Sequence, residues 1–533
     1  MPTLTRRDAL RNLFFTAAGS TIVAPALTRC SQNMRQKPNI VLIYTDDQGY
    51  GDMSALNPDS KFQTPNMDRI GHEGIIFRDG HCSDTVCTPS RYSLLTGRYS
   101  WRSSLKKGVL RAEGDCLIPN DRLTLASMLR SQGYNTAMIG KWHLRMEFPG
   151  DKGMRDWSQP ITDGPTEKGF DYFYGIAASM NYGMLTYIEN DRITEIPSMW
   201  TRKKLDKSIY QHGSTYYRLM PPYDAEQQQP GDIEVAPGFI DSKALEVFAD
   251  KTVDYIDEVA DDAKSGTPFF VYMPLTSPHL PHCTGEDFIG KSNMGAYGDF
   301  MMETDYRVGQ VLDALDRQGL TDNTLVIFSS DNGAETNYHD QLANYQHASN
   351  GVYRGGKRDI YEGGHRVPFV MRWPGVIQHG SQCDTPVCQS DIMATLADIL
   401  QVDLPKNSGE DSFSLLPLMA GASNIEREPI IHHSARGYFA IRDGKWKLNM
   451  FLGSGGSLPP VFVKPKPGEP PFELYDMEND YREMTNVYRE HPDIVARLTE
   501  KITKIVQDGR STPGPVQSND GVDWWPELTW IEE

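Results

Sequence analysis

Asn39-Ile40-Val41-Leu42-Ile43-Tyr44-Thr45 runs without a break into Asp46-Asp47. An apolar, β-branched run with no polar face reads as a strand buried on both sides. Four further runs share that character: Thr136 to Gly140, Phe269 to Pro274, Leu325 to Ser329 and Val367 to Trp373. Between them the apolar spacing turns helical, over Leu125 to Ser131, Ala244 to Val259, Met301 to Arg317 and Ile392 to Leu400. Strand alternating with helix predicts an α/β fold, a mainly parallel central sheet sandwiched by helices. Such sheets bind ligands beyond the carboxyl ends of their strands. Asp46-Asp47 and Asp331-Asn332 both fall there, so two acidic pairs far apart in sequence are expected to converge.

The pattern changes near residue 430. Tyr438 to Leu448 and Phe472 to Tyr475 read as short antiparallel strands, and Asp493 to Val506 as a helix. The expected division is a catalytic domain over 36–430 and a smaller α+β C-terminal subdomain over 431–533. Gly453 to Pro471 reads as a loop within the latter. Residues 146–240 read as a long, irregular insertion, either the rim of a pocket or a plain surface excursion. The acidic run Asp476 to Asp480 is read as a solvated turn, because Tyr481 stands where a calcium loop needs glycine.

Residues 1–30 read as an export signal. Arg6-Arg7 precedes an apolar run from Leu13 to Leu27 that is too short to span a bilayer, and the pair resembles a twin-arginine leader. Ala24-Pro25-Ala26 offers a cleavage site and Cys30 an alternative lipid-bearing residue, so the expected location is periplasmic or extracellular. No later segment is long and apolar enough to span a membrane. The 53 Lys and Arg against 71 Asp and Glu give a net charge of −18, which excludes a nucleic-acid binder relying on a broadly basic surface. An anionic substrate therefore needs a local basic pocket. Seven cysteines in 533 residues are too few for a disulfide scaffold, and none has zinc-like spacing. Cys383 and Cys388 are the nearest pair, and their pairing stays open.

Cys87-Thr88-Pro89-Ser90-Arg91 leads through Tyr92-Ser93-Leu94-Leu95 to Thr96-Gly97-Arg98. Pro89 near the first turn and Gly97 at the end frame a short helix, with Cys87 just before it. Free amides and the helix dipole favour negative charge at that position, which suits an anionic substrate or an activated nucleophile.

This segment resembles the signature of the type I, formylglycine-dependent sulfatases, C-x-P-S-R followed by a helix ending T-G-R. Further matches follow in family order: Asn39 to Asp47, Gly140-Lys141-Trp142-His143, Ser277-Pro278-His279, Ser330-Asp331-Asn332-Gly333, and Gly356-Lys357 leading to Tyr361-Glu362-Gly363-Gly364. The resemblance implies an alkaline-phosphatase-like fold and hydrolysis of a sulfate ester. It implies that Cys87 is oxidised before folding to formylglycine by a formylglycine-generating enzyme, and that the hydrated aldehyde is the nucleophile. Asp46, Asp47, Cys87, Asp331 and Asn332 would hold a hard metal, usually Ca2+ in the family, with Mg2+ satisfying the same oxygen chemistry. Arg91 would hold the nucleophile, Lys141 and Lys357 the sulfate oxygens, and Ser179 would make a further sulfate contact. His279 would protonate the leaving alcohol, and His143 would deprotonate the hydroxyl that expels sulfate. His282 reads as structural or as a rim residue.

The expected substrate is a sulfated carbohydrate, with Tyr172, Tyr174, Tyr182 and Tyr187 as rings to stack on sugars. The alternatives are a small aryl sulfate, a phosphate or phosphonate monoester, and an inactive glycan-binding homologue.

Overall fold

The computed structural model describes residues 36–205, 217–522 and 524–531. The export signal and Cys30 lie outside the described residues. The main sheet has ten strands, β1 (Asn39–Asp46), β2 (Ile75–Phe77), β3 (Asn135–Lys141), β4 (Tyr172–Ile176), β5 (Ile188–Glu189), β6 (Arg192–Ile193), β7 (Phe269–Pro278), β8 (Thr324–Ser330), β9 (Phe369–Arg372) and β10 (Ser381–Cys383). Their order is β10-β2-β9-β8-β1-β7-β3-β4-β5-β6. The five central strands β8, β1, β7, β3 and β4 run parallel.

Two expectations change here. The run Val367 to Trp373 does form a strand, but β9 lies antiparallel to both β8 and β2. The insertion 146–240 is not all excursion, because Tyr172–Ile176 enters the sheet as its fifth parallel strand. Its Tyr-Phe-Tyr-Gly-Ile sequence is rich in strand-favouring residues, and it pairs in parallel with β3.

Among the helices are α1 (Pro65–His72), α2 (Cys87–Thr96), α3 (Leu125–Ser131), α4 (Ala244–Lys264), α5 (Gly295–Arg317), α6 (Ile392–Leu400) and α7 (Pro492–Gln507). Strand β1 shows why its sequence has no polar face. Ile40, Leu42 and Tyr44 point into a core with Leu94 and Leu95 of α2, Leu129 of α3 and Leu396 of α6. Val41 and Ile43 point into the opposite core with Ile70 of α1, Phe248 and Ile256 of α4, and Val308 and Leu312 of α5. Side chains alternate between the faces, and both faces are covered.

The C-terminal region forms a separate antiparallel sheet of four strands, β11 (Ile430–His433), β12 (Phe439–Asp443), β13 (Trp446–Asn449) and β14 (Glu473–Asp476). The stretch read as one strand over Tyr438 to Leu448 is thus a hairpin, and β11 has no counterpart in the sequence reading. Helix α7 packs on this sheet through Leu498 and Ile502, in a core that also takes in Tyr99 and Trp101 from the segment after α2. Trp101 meets Phe439 edge-on at 5.2 Å. Cys383 and Cys388 are both free and buried. Among the described residues no helix is long and apolar enough to cross a membrane.

Gly140 and Gly175 face each other across β3 and β4, one residue before the Lys141–Ile176 pair. A Cβ on Gly175 would lie 1.8 Å from the Gly140 carbonyl oxygen. Gly175→Val is therefore expected to cost at least about 2 kcal/mol through forced strand separation. Denaturant unfolding measures that cost, and a wild-type midpoint would show that the two strands have room to part.

Candidate active site

Parallel strands of similar length end together, so residues just past their carboxyl ends share one rim. Asp46 ends β1 and Asp47 follows it; Lys141 ends β3; His279 follows β7; Asp331 follows β8. All five are buried. Cys87 is the first residue of α2, one position further into the helix than the sequence reading placed it. No side chain caps that N-terminus, and Arg91 lies one turn on. One ligand atom each from Asp46, Cys87 and Asp331 lie within 4.8 Å of one another, and Asp46, Asp47 and His279 form a second such group.

The acidic residues are not alone. Arg91 donates through Nη2 and Nε to Asp331 Oδ2 at 2.7 and 3.1 Å, and its Nη2 lies 3.8 Å from Asp46. Lys141 donates to Asp46 Oδ2 and, at 2.6 Å, to Ser179 Oγ. Lys357 Nζ lies 2.6 and 2.7 Å from the two oxygens of Asp47. Three carboxylates thus meet three cationic side chains. The compensation is uneven. Burial would raise Asp46, but Lys141, His279, Arg91 and Lys357 together hold it well below the usual carboxylate range. Burial and then repulsion from Asp46 push Asp331 up to about 7, despite Arg91.

Several groups remain without protein partners. Asp46 Oδ1 and Asn332 Oδ1 are buried and accept no hydrogen bond. Asn332 donates through Nδ2 to Asp47 Oδ1 at 2.8 Å and to the Gly333 carbonyl at 2.9 Å, which leaves its carbonyl oxygen free. Oxygen-only acceptors beside a carboxyl that resists ionisation fit a hard cation.

Burial pushes the Cys87 thiol up to about 11, against the pull of Lys141 and Lys357. Unmodified, it is a neutral thiol at ordinary pH and a poor nucleophile. His279 donates Nδ1–H to the Leu280 carbonyl at 2.5 Å, and its Nε2 faces Asp47 Oδ2 at 3.7 Å. Burial and Lys357 keep it from protonating easily. His282 packs edge-on to Tyr297 at 5.4 Å, and burial lowers its pKa to about 3, which fits the structural reading.

The chain that carries Lys357 is held from two sides. Gly333 N–H donates to the Gly364 carbonyl at 3.0 Å, and a Cβ on Gly333 would sit 1.8 Å from the Gly363 oxygen. Lys357 N–H donates to Ala334 O at 2.9 Å, and Arg358 N–H to Thr85 O at 2.8 Å. Glu335, which the sequence reading missed, binds Arg358 at 2.7 Å and lies 3.7 Å from Lys357. Its place directly after the Asp331 segment was the available signal.

Three of the four tyrosines stack on other aromatic rings. Tyr172 stacks on Tyr255 at 6.0 Å and Tyr174 on Tyr187 at 5.4 Å, and Tyr187 also meets Phe239. Only Tyr182 of the four reaches the site, where its hydroxyl bonds His143.

A second group of nitrogen ligands lies apart. His81, His365 and His432 are buried with ring nitrogens within 4.8 Å of one another. His365 and His432 stack face to face at 3.7 Å and 13°, so their in-plane lone pairs run side by side and do not converge. His81 bonds Asp79 at 2.7 Å and His365 at 3.0 Å, and His365 bonds Lys447 at 3.0 Å. His81 and His365 are thus hydrogen-bonded, whereas neither ring nitrogen of the buried His432 has a hydrogen-bond partner.

The profile of the family described as Sulfatase matches residues 38–402, and that of the N-sulphoglucosamine sulphohydrolase C-terminal region matches 351–508. The chain is 32% identical over 503 residues to an N-acetylgalactosamine-6-O-sulfatase of Bacteroides thetaiotaomicron, covering 90% of this chain and 96% of that protein. It is 32% identical over 504 residues to human arylsulfatase A, covering 91% of each. A solved structure from work on glycosaminoglycan metabolism by Bacteroides thetaiotaomicron superposes with a TM-score of 0.74 at 29% identity, covering 88% of this chain and 99% of that one.

If the free oxygens of Asp46 and Asn332 await a cation, chelator-treated protein should melt lower than protein given excess Ca2+ or Mg2+. Asp331→Asn should lose most of that shift. Equal melting temperatures with and without metal, with removal confirmed by elemental analysis, would count against a cation at this rim.

Proposed function

The chain belongs to the sulfatase family and is a sulfuric ester hydrolase, and we propose that it releases sulfate from a sulfated carbohydrate using a formylglycine made from Cys87. The observation that carries this reading is the position of Cys87, at an uncapped helix start among Asp46, Asp331, Lys141 and Lys357. A neutral buried thiol does little there. A hydrated aldehyde supplies two hydroxyls on one carbon, one to take the sulfuryl group and one to expel it as sulfate. The carbohydrate substrate is supported by the relatives, one acting on N-acetylgalactosamine 6-sulfate by its name and one drawn from glycosaminoglycan metabolism. Residues 1–30 fit export to the periplasm or beyond, and a formylglycine-generating enzyme is the partner required before folding.

Each side chain has a task that follows from its surroundings. Asp46, Asp47, Asp331 and Asn332, with position 87, would hold Ca2+ or Mg2+, whose charge would steady the anionic nucleophile. Lys141 and Lys357, now bound to Asp46 and Asp47, would turn toward sulfate oxygens once those carboxylates had another counter-charge, with Ser179 beside Lys141. Arg91, bound to Asp331 one turn into the helix that begins at Cys87, would help hold the nucleophile. His279 has its Nδ1 proton committed to Leu280, so Nε2 is the nitrogen left to carry a proton to the departing alcohol oxygen. His143 is held neutral first by burial, then by Lys141 and Arg91, and so is ready to accept the proton of the second hydroxyl. As that proton leaves, its electron pair forms the carbonyl, the bond to the sulfate oxygen breaks, and water rehydrates the aldehyde.

Mass spectrometry of the Cys87 peptide, from protein made with a formylglycine-generating system, should find the aldehyde in proportion to activity. Full activity with unmodified cysteine would overturn the mechanism. Sulfate and phosphate esters compared at equal concentration separate a sulfatase from a phosphate or phosphonate monoester hydrolase, and a screen of defined sulfated sugars identifies the substrate.

His279→Ala should slow a carbohydrate sulfate by roughly 10²- to 10⁴-fold, the usual span of a general acid. The same change should slow nitrophenyl sulfate far less, because nitrophenolate departs without a proton. Equal losses on both esters would remove His279 from that role and make His282 the next residue to test.

A further inference from the structure

His143 follows β3, and Tyr182 follows β4. The parallel ladder between these strands continues past their ends, with Trp142 N–H donating to Ile176 O and His143 N–H to Ala177 O, each at 3.0 Å. A turn closed by Tyr182 N–H on Ser179 O at 3.3 Å then presents two side chains to the site. Ser179 meets Lys141, and Tyr182 meets His143, their rings 5.3 Å apart. His143 itself has a positive φ of 61°, a backbone conformation that a side chain of its size adopts only when its neighbours impose it.

Proton counting decides what this contact does. His143 Nε2 has two oxygen neighbours, the Leu110 carbonyl at 3.0 Å and the Tyr182 hydroxyl. A carbonyl only accepts, so a hydrogen bond to Leu110 requires the proton on Nε2. The Tyr182 oxygen then accepts from the same N–H. Ser179 is within hydrogen-bonding reach of Tyr182 too, and its Oγ, which accepts from the Lys141 ammonium, keeps a second lone pair for the Tyr182 O–H. The phenol can thus place its own proton on Ser179 and keep its lone pairs for the His143 N–H. The other imidazole nitrogen, Nδ1, is buried and has no partner.

We infer that Tyr182 is a positioning residue for His143: with the Leu110 carbonyl it holds the proton on Nε2, and so leaves Nδ1 as the nitrogen that takes the proton of the second hydroxyl. The inference rests on the role of His143 proposed above. When Nδ1 accepts that proton the ring becomes cationic, and both oxygens on Nε2–H then stabilise the charge. Tyr182 thereby acts through His143, with no contact to the reacting sulfur required of it.

Tyr182→Phe keeps the ring and removes only the oxygen. On the sulfate ester that the wild type turns over best, kcat should fall about 10- to 100-fold, the rate equivalent of one hydrogen bond to a charged group, with KM unchanged. Tyr182→Phe combined with His143→Ala should be no slower than His143→Ala alone. Independently of turnover, ¹⁵N spectra of histidine-labelled protein, with His143 assigned by its loss in His143→Ala, should show Nε2 protonated and Nδ1 bare. A protonated Nδ1 in the wild type, a rise in KM at unchanged kcat, or losses that multiply in the double variant would each overturn the inference. A KM effect alone would make Tyr182 a sugar contact. If His143→Ala itself keeps full activity, the proposed base role fails; if His143→Ala is slow but Tyr182→Phe matches the wild type, only the role of Tyr182 fails.

Discussion

Three carboxylates and three cationic side chains are packed into one buried rim, and every other feature of the site follows from how that charge is shared. Asp46 leans on Lys141, Asp47 on Lys357 and Asp331 on Arg91. Burial makes each of these charges costly alone and tolerable in pairs. The pairing leaves one carboxyl, Asp331, at the edge of ionisation, and two oxygen atoms facing no donor. It also occupies the two lysines that an anionic ester needs. On the proposed function, a cation and an anion would favour each other's arrival, because each would release the partner of the other.

The scaffold holds these opposed charges by placing them on backbone that has little freedom to move. Neighbouring parallel strands fix the spacing of Asp46, Lys141, His279 and Asp331, and the glycine pair Gly140 and Gly175 lets β3 and β4 approach closely. The segment with Lys357 is not on a strand and is gripped from the other side by the C-terminal sheet. Ile360 N–H donates to Ser454 O at 2.8 Å, and Lys447 of β13 reaches Ile360 O at 2.9 Å and Glu362 at 3.1 Å. The stacked histidines His365 and His432 lie at the same junction, kept neutral by burial and by nearby cations. The small sheet thus supports the segment that carries Lys357.

The sequence was most legible where one periodicity held along a whole element. Strand β1 is apolar on both faces because both faces are covered, so Asn39 to Thr45 announced its own burial. Helix α3 was read to its observed bounds and α7 to within a residue at each end. Legibility failed where partners supply the structure. Tyr172–Ile176 is rich in strand-favouring residues but short and set in irregular chain, and the sense of β9 is set by its neighbours. The tyrosines looked available to sugars because sequence does not reveal which aromatic rings are already stacked on each other.

By itself the sequence determined the fold class and the convergence of the two acidic pairs, which follow from periodicity along whole elements, and its resemblance to a family singled out Cys87, Arg91, Lys141, His143, His279 and Lys357 as a candidate set. Only the tertiary structure decided how that set is wired. That each carboxylate has its own cation, that Ser179 bonds Lys141, that Tyr182 and the Leu110 carbonyl share one nitrogen of His143, and that Glu335 stands behind Lys357 are contacts between segments dozens to hundreds of residues apart. Their existence turns on distances of a few ångströms in a buried site, where electrostatic energy changes steeply with separation and no local pattern in the chain records it.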